Sequence, residues 1–233
     1  MSKAVAIVSG GLDSVTLAYL LHAQGYDLHL LSFDYGQRHK KELAFAKLCA
    51  QRLNAEFHVI DLSDLGKLLK GSALTDDIPV PDGHYAAPTM AVTVVPNRNA
   101  IMLSIAYGIA VTENAEVVAI GAHGGDHFIY PDCRPSFVAA FDAMQRQATE
   151  GFRHEKLRLE APFIHMGKHD IVKVGTDLQV PYADTWSCYK GGEKHCGQCG
   201  TCYERREAFE LASVPDPTAY AIEVAEVTLY SML

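Results

Sequence analysis

The chain has 233 residues, of which 48% are hydrophobic, so it can bury the core of one domain with a small appendage. Its formal net charge of −8 argues against a nucleic-acid partner held by a basic surface and favours small-molecule substrates. Because no apolar stretch approaches the roughly 20 residues of a membrane span, and the first apolar run is too short for a signal-peptide core, we expect a cytoplasmic protein with no membrane partner.

Apolar runs alternate with helical patterns along the first sixty residues. Strands are predicted at 4–8, 28–33 and 56–62, with one helix ending near Gly25 and another at 41–53. This βαβαβ order is typical of a parallel sheet with helices on both faces. The expected fold class is therefore α/β with a Rossmann-like parallel sheet.

The rest of the chain adds a long loop and five more elements. Residues 71–96 contain four prolines and little periodicity, which predicts a loop within the domain. Helices are predicted around 101–109, 137–148 and 167–178, and strands at 116–120 and 158–163. We divide the chain into an α/β domain at 1–184 and a smaller C-terminal segment at 185–233 packed on it.

Ligands of open parallel sheets bind beyond the carboxyl ends of the strands. Residues 9–14, 34–37 and 121–133 follow predicted strands directly. We therefore expect these three segments to surround one crevice.

The first of these segments reads Ser-Gly-Gly-Leu-Asp-Ser and precedes a helix. The first N–H groups of a helix are unpaired and partly positive, and glycines let the main chain approach a phosphate closely. No lysine follows the second glycine, so this is not a Walker loop. Asp13 would repel a bare phosphate, and its position predicts a Mg²⁺ ion between the two.

This string resembles the pyrophosphate loop of the PP-loop ATP pyrophosphatases, which break ATP after its first phosphate and adenylate a substrate. The resemblance implies a fold like that of the adenine nucleotide alpha hydrolases. The residues that it assigns to ATP binding are Val8, Ser9, Gly10, Gly11, Leu12, Asp13, Ser14, Val15, Thr16 and Leu17. A plain glycine turn with a helix cap at Asp13 or Ser14 is the alternative.

Four of the six cysteines cluster near the C-terminus. Cys188, Cys196, Cys199 and Cys202 have the spacing C-x₇-C-x₂-C-x₂-C, which lets four thiolates converge on one ion. In a reducing compartment this spacing favours metal over disulfides, and four sulfurs leave no open coordination position. We expect one structural Zn²⁺ per chain, with iron–sulfur ligation and four ordinary thiols as alternatives. His195 is expected on the surface.

Four strings between and around these motifs are more specific. They are Val95-Pro96-Asn97-Arg98-Asn99, Gly121-Ala122-His123, Tyr130-Pro131-Asp132-Cys133-Arg134 and Thr185-Trp186-Ser187-Cys188-Tyr189. Together with the cysteine pattern they resemble the 7-cyano-7-deazaguanine synthase family, over residues 4–209. The resemblance implies a homodimeric ATP-dependent ligase of queuosine biosynthesis, which makes 7-cyano-7-deazaguanine from 7-carboxy-7-deazaguanine and ammonia.

The chemistry of that reaction explains the use of a pyrophosphate loop. A carboxylate does not react with ammonia because oxide would have to leave, whereas an acyl adenylate releases AMP. The amide forms first, and its dehydration to a nitrile needs a second activation of oxygen. One site is therefore expected to act twice on the same purine, with Mg²⁺ bound to ATP.

The candidate catalytic residues are Asp13, Lys168 and Arg98. Lys168 resembles a lysine of the family and would neutralise charge on the phosphates. Arg98 would pair with a phosphate or carboxylate. A solvated lysine and a surface ion pair are the alternatives for these two residues.

The candidate substrate-binding residues are Asp126, Asp132 and Tyr130. Either aspartate would accept hydrogen bonds from the N1–H and amino groups of the guanine-like base. Tyr130, Phe33 and Trp186 are candidates for stacking on the base, and each is also a candidate for the core. The two aspartates with His123 and His127 form an alternative second metal site.

Two other functions stay open. A PP-loop tRNA thiolation enzyme would fit the cysteines, but such enzymes usually add an RNA-binding domain and a basic surface. A related protein with the same fold would bind nucleotides or modify proteins instead. The apolar tail at 219–233 is the predicted dimer contact.

Overall fold

A parallel sheet organises the computed structural model, which describes residues 2–222. Its strands are β1 (Lys3–Ile7), β2 (Asp27–Asp34), β3 (Glu56–Asp61), β4 (Val117–Ala119) and β5 (Arg158–Glu160). They lie in the order β3-β2-β1-β4-β5, and each pairing is parallel. The α/β prediction is confirmed, and the strand order reverses at β1, which is where such sheets bind ligands.

Helices cover both faces of the sheet. They are α1 (Leu12–Ala23), α2 (Lys41–Leu53), α3 (Ser63–Gly66), α4 (Arg98–Thr112), α5 (Pro135–Ala148), α6 (Lys168–Asp177) and α7 (Gly200–Ala212). Successive side chains of a strand point to opposite faces. Ala4 and Ala6 accordingly pack against α1, α2, α6 and α7, whereas Val5 and Ile7 pack against α4 and α5.

Most predicted elements lie within one or two residues of the observed ones. Two elements differ by three residues. Helix α4 extends three residues beyond the predicted 101–109 at each end, and the fifth strand ends at Glu160 instead of 163. Pro162 has no N–H to donate to a neighbouring strand, and the N–H of Ile164 turns back to the carbonyl of Ala161 at 3.1 Å. The prediction for residues 71–96 missed one 3₁₀ helix, Pro88–Thr93.

The C-terminal segment packs on the main domain through α7, which lies against α6. Most of the predicted dimer contact at 219–233 lies outside the described residues. Within 2–222, none of the helices has both the length and the apolar character needed to cross a bilayer.

Close packing fixes the loop between β1 and α1. Gly10 has a φ of +89°, and a Cβ there would lie 2.2 Å from the carbonyl oxygen of Glu42. Only glycine fits such a position without displacing the neighbouring backbone. On the other side, the N–H of Trp186 donates to the carbonyl of Gly10 at 2.9 Å. The loop is thus held between the start of α2 and the segment that leads into the cysteine cluster.

Candidate active site

Two cavities meet at the carboxyl ends of β1 and β4. The first, here called the sheet cavity, is lined by Ile7, Phe33, Met102 and Ile120. The second, here called the cluster cavity, is lined by Tyr85, Tyr130, Lys168, Trp186 and Glu204. They share a wall formed by Ser9, Gly11, Asp13, Glu42, Arg98, Asp126, Cys133 and Tyr189. The predicted crevice is therefore present, with the glycine loop at its centre.

The ten residues predicted to bind ATP divide into two groups. Val8, Ser9, Gly11, Leu12, Asp13 and Ser14 line one or both cavities. Gly10 is buried beneath the loop, and Val15, Thr16 and Leu17 are core residues of α1. The hydroxyl of Ser14 accepts from the N–H of Ser9 at 3.1 Å, so it braces the loop.

Asp13 lies in the first turn of α1 and faces the crevice. Its Oδ2 is 3.3 Å from the ammonium of Lys168 and 3.9 Å from Nε2 of His123. Its Oδ1 is buried and has no hydrogen-bond partner within 2–222. One carboxylate oxygen therefore remains available to a cation.

Lys168, at the start of α6, joins two carboxylates across the crevice. Its ammonium donates to Glu204 of α7 and lies beside Asp13. Burial alone would lower the pKa of Lys168, but the Asp13 and Glu204 carboxylates raise it above its ordinary range. Lys168 is therefore a fixed positive charge. Glu204 was not predicted, because no local motif connects residues that are 36 positions apart.

Asp126 lies on the shared wall next to the buried ring of His123, whose Nε2 is 3.5 Å from the Asp126 carboxylate. Burial raises the pKa of Asp126, and the Glu204 and Asp13 carboxylates raise it further against the opposing effects of His123 and Lys168. Within 2–222, three or more metal-ligating atoms converge only in the cysteine cluster and at His29, Glu56 and His58. The alternative metal site at 123–132 is therefore not formed.

Arg98 begins α4 and contributes to the shared wall. Its guanidinium donates to the hydroxyl of Tyr35 at 3.3 Å. In the part of the chain that the structure describes, no carboxylate lies within 4.0 Å of it. The surface ion pair considered for Arg98 is thus not present there.

The other predicted substrate residues have different positions. Asp132 accepts from the N–H of Asn99 at 3.0 Å and lies outside the lining of both cavities. Tyr130 lines the cluster cavity, and its hydroxyl is bonded to that of Thr93 at 2.7 Å. Trp186 lines the same cavity, with the ammonium of Lys41 4.0 Å from its ring centroid.

Glu42 is a second wall residue that the sequence analysis missed. Its carboxylate accepts from Nε2 of Gln37 at 3.3 Å. Burial raises the pKa of Glu42 from 4.5 to about 7, although Arg98 and Gln37 oppose the shift. Glu42 occurs in an ordinary amphipathic helix, so no sequence signal distinguishes it from a surface glutamate.

The four clustered cysteines converge as predicted, with their sulfur atoms within 4.8 Å of one another. The Sγ of Cys199 lies 3.5 Å from that of Cys202 and 4.0 Å from that of Cys188. The Sγ atoms of Cys196 and Cys202 are 3.9 Å apart. This arrangement could hold a metal ion.

The prediction for His195 is wrong. The residue is 5% exposed, because Trp186 and Tyr220 pack against its ring. Its Nε2 accepts from the N–H of Ser187 at 3.0 Å. It braces the segment before Cys188.

Helix α7 connects the cysteine cluster to the crevice. Cys202 belongs to the cluster, and Glu204 reaches Lys168. Arg205 is 1% exposed and donates to the hydroxyls of Thr185 and Ser187 at 2.9 and 3.1 Å. The cluster and one wall of the crevice are thus parts of the same local structure.

The family model and the sequence relatives agree on one family. The family model described as "Queuosine biosynthesis protein QueC" matches residues 3–213. The 7-cyano-7-deazaguanine synthase of Brucella anthropi is 60% identical over 218 residues, which cover 94% of this chain and 93% of the relative. That of a Ruegeria species is 60% identical over 220 residues, with the same two shares. Among solved structures, the NH₃-dependent NAD synthetase of Campylobacter jejuni has a TM-score of 0.46 and 17% identity, covering 91% of this chain and 75% of that one.

Proposed function

The chain belongs to the QueC family of queuosine biosynthesis proteins, and we propose that its crevice uses Mg²⁺-bound ATP to convert 7-carboxy-7-deazaguanine and ammonia to 7-cyano-7-deazaguanine. The protein is an enzyme, and formation of 7-cyano-7-deazaguanine is its activity. The observation that carries the ATP-dependent mechanism is the position of the glycine loop, which lies where the two cavities meet.

The two cavities suit two different ligands. The sheet cavity is walled by apolar side chains such as Phe33 and Met102, which suit the adenine ring. The cluster cavity, with Lys168 and Tyr130, would then receive the deazaguanine and the departing pyrophosphate. The substrate carboxylate and the first phosphate of ATP would meet at the shared wall, where acyl adenylate must form.

The charges of the crevice favour a divalent cation. Its lining includes the four carboxylates of Asp13, Glu42, Asp126 and Glu204 but the cations of only Arg98 and Lys168. ATP is itself strongly anionic, so it requires further positive charge at such a site. The unpartnered Oδ1 of Asp13 is a suitable Mg²⁺ ligand. Bound Mg²⁺ would neutralise phosphate charge as pyrophosphate leaves.

Protein cations complete the phosphate site. Lys168 is held by Asp13 and Glu204, so its ammonium is already positioned before ATP binds. Arg98, without a carboxylate partner in the described chain, is available to a phosphate or to the substrate carboxylate. These two residues and Asp13 are the catalytic residues of the proposal.

The base of the substrate would be read by Asp126. This carboxylate lies on the shared wall, whereas Asp132 caps the start of α4. The N1–H and amino groups of a guanine-like ring are donors, and a carboxylate accepts from both. Tyr130 and Trp186 line the same cavity and could pack on the ring.

We assign the cysteine cluster to one Zn²⁺ with a structural role. Zinc–thiolate bonds of about 2.3 Å place tetrahedral sulfurs about 3.8 Å apart. The Sγ distances of 3.5, 3.9 and 4.0 Å match this spacing. An iron–sulfur cluster binds its thiolates to different iron atoms and would spread them further. Four sulfurs also leave no coordination position for substrate.

The experiment that tests the function uses the proposed amide intermediate. Purified enzyme with Mg²⁺-ATP should convert synthetic 7-carboxamido-7-deazaguanine to the nitrile without ammonium, as followed by mass spectrometry. Starting from the acid, the same enzyme should need ammonium and should produce AMP and pyrophosphate. A requirement for ammonium in the conversion of the amide would contradict the two-step scheme.

A further inference from the structure

Glu42 differs from the other carboxylates of the shared wall. Asp13 and Glu204 lie beside Lys168, and Asp126 lies beside His123. Within 2–222, the side-chain hydrogen bond of Glu42 comes from the neutral amide of Gln37, and no cation lies within ion-pair distance of its oxygens. Its carboxylate is therefore available to a small cationic ligand.

The backbone places Glu42 firmly at the glycine loop. Its carbonyl oxygen is so close to Gly10 that a Cβ there would be 2.2 Å away. Glu42 also belongs to the first turn of α2, and its side chain lines both cavities. The carboxylate thus lies where the two cavities meet, which is where the proposed function places the acyl adenylate.

Its surroundings tune the group for proton transfer. Tyr35 and Gln37 face it from the segment after β2, and Arg98 faces it from α4. Burial raises the pKa of Glu42 to about 7, against the effect of Arg98. A carboxyl group with a pKa near the working pH can both take up and release a proton during turnover.

Amide formation offers such a group a role. At neutral pH the nitrogen donor is mostly ammonium, which has no lone pair to attack an acyl carbon. One proton must leave the nitrogen before the C–N bond forms, and a second must leave afterwards. None of the roles given above to Asp13, Lys168, Arg98 or Asp126 removes either proton.

We propose that the Glu42 carboxylate forms an ammonium site at the junction of the two cavities and accepts one proton from the bound ion. The ammonia lone pair then attacks the acyl carbon, and the bond to AMP breaks with its electron pair on the phosphate oxygen. The second nitrogen proton goes to water, and Glu42 later releases its own proton to water. This inference rests on the proposed function, since it needs the acyl adenylate.

The two halves of the reaction provide the test, because only formation of the amide consumes ammonia. Glu42→Gln keeps the shape and the Gln37 contact of the side chain but cannot accept the proton. We expect it to slow acid-to-amide conversion at least tenfold more than amide-to-nitrile conversion, and to raise the KM for ammonium. The matched control is Glu150→Gln, at an exposed residue outside the lining of both cavities, which should change neither rate.

A second nucleophile separates chemistry from structure. Hydroxylamine is mostly unprotonated at neutral pH and attacks the acyl adenylate to give a hydroxamic acid and AMP. The defect of Glu42→Gln should therefore be much smaller with hydroxylamine than with ammonium. Equal slowing of both half-reactions, or an equal defect with both nucleophiles, would overturn the ammonium site. If the wild-type enzyme itself cannot convert the amide without ammonium, the proposed function fails instead.

Discussion

The two carboxylate oxygens of Asp13 have different surroundings. One oxygen lies beside Lys168, and the other is buried without a partner among the described residues. Such an orphaned acceptor normally costs stability, so its retention favours a ligand that occupies it in the working enzyme. A neutral amide would keep the shape of the side chain but bind Mg²⁺ far less well.

We predict that Asp13→Asn lowers nitrile formation by roughly 100-fold or more while the chain stays folded. The rate would be measured by mass spectrometry of the product, and folding by circular dichroism and thermal melting. Asp64→Asn, at a side chain that is 94% exposed, is the matched control and should behave as wild type. Near-normal turnover of Asp13→Asn would show that Asp13 does not bind the metal.

Residues in contiguous sequence motifs could be assigned to the crevice or the cluster, whereas contacts between residues far apart in the chain could not be predicted. Asp13 and the four cysteines could be predicted because each motif is contiguous or nearly so. Glu204 and Glu42 could not, since their positions in the crevice depend on how α7 and α2 pack against other elements. His195 was misplaced for the same reason, because the rings that bury it come from residues on both sides of it in the chain.

At the scale of elements, α7 and the loop before it depend on the cysteine cluster. The loop from Cys188 to Cys199 contains several glycines and few apolar side chains. A bound metal would contribute the stability that a small core cannot. Tyr189 and Glu204, next to the cluster in the chain, would lose their positions with it.

We predict that Cys199→Ser lowers zinc from about one ion per chain to well below that, and lowers the melting temperature by roughly 5–10 °C. Activity should fall because the crevice wall is displaced. Zinc would be measured by elemental analysis, together with the visible spectrum of aerobically purified protein. The matched control is Cys49→Ala, which removes a buried thiol of α2 outside the cluster and should leave the zinc content of the protein unchanged. Iron, sulfide and a brown colour in the wild type would instead indicate an iron–sulfur centre.

Element boundaries were predictable where one physical signal dominated. The helical periodicity of α2 gave its bounds, 41–53, without error. Strand β5 was predicted three residues too long because its apolar composition continued past Pro162. The 3₁₀ helix Pro88–Thr93 is too short for periodicity to reveal, and its Met90 lines the cluster cavity.

At the scale of the whole molecule, the crevice lowers stability at high pH. Burial raises the pKa of Glu42 from 4.5 to about 7, so the folded chain holds a proton that the unfolded chain releases between these values. The resulting stability is fully present below about pH 4.5 and is lost as the pH rises through about 7. Above that pH, folding confines an ionised carboxylate in the crevice.

We predict that Glu42→Gln gains stability relative to the wild type as the pH rises. The difference in melting temperature, variant minus wild type, should become more positive by roughly 5–10 °C between pH 5 and pH 8. Differential scanning calorimetry at both values measures it. Glu150→Gln, at an exposed residue, should show no such trend, and a flat difference for Glu42→Gln would contradict the raised pKa.

The order of the predicted elements was enough to predict the architecture of the molecule but not the shape of its crevice. The βαβαβ pattern predicted the parallel sheet and, through its carboxyl ends, the segments around the crevice. The division of that crevice into two cavities depended on where the loop at 71–96 and α7 fold back over the sheet, which periodicity does not encode.

The spacing of functional residues along α7 limits which insertions and deletions the chain can tolerate, both in evolution and in protein engineering. One turn of this helix carries three residues with separate contacts. Cys202 belongs to the cysteine cluster, Glu204 accepts from Lys168, and Arg205 donates to the segment at 182–187. Each residue of an α-helix rotates the next by about 100°, so one inserted or deleted residue after Cys202 would turn the other two side chains away together. Substitutions at other positions of this helix can be absorbed, but a change of length within residues 199–205 cannot. Affinity tags and domain insertions belong elsewhere, for example at the exposed turn around Gly151, and natural variation in length should avoid residues 199–205.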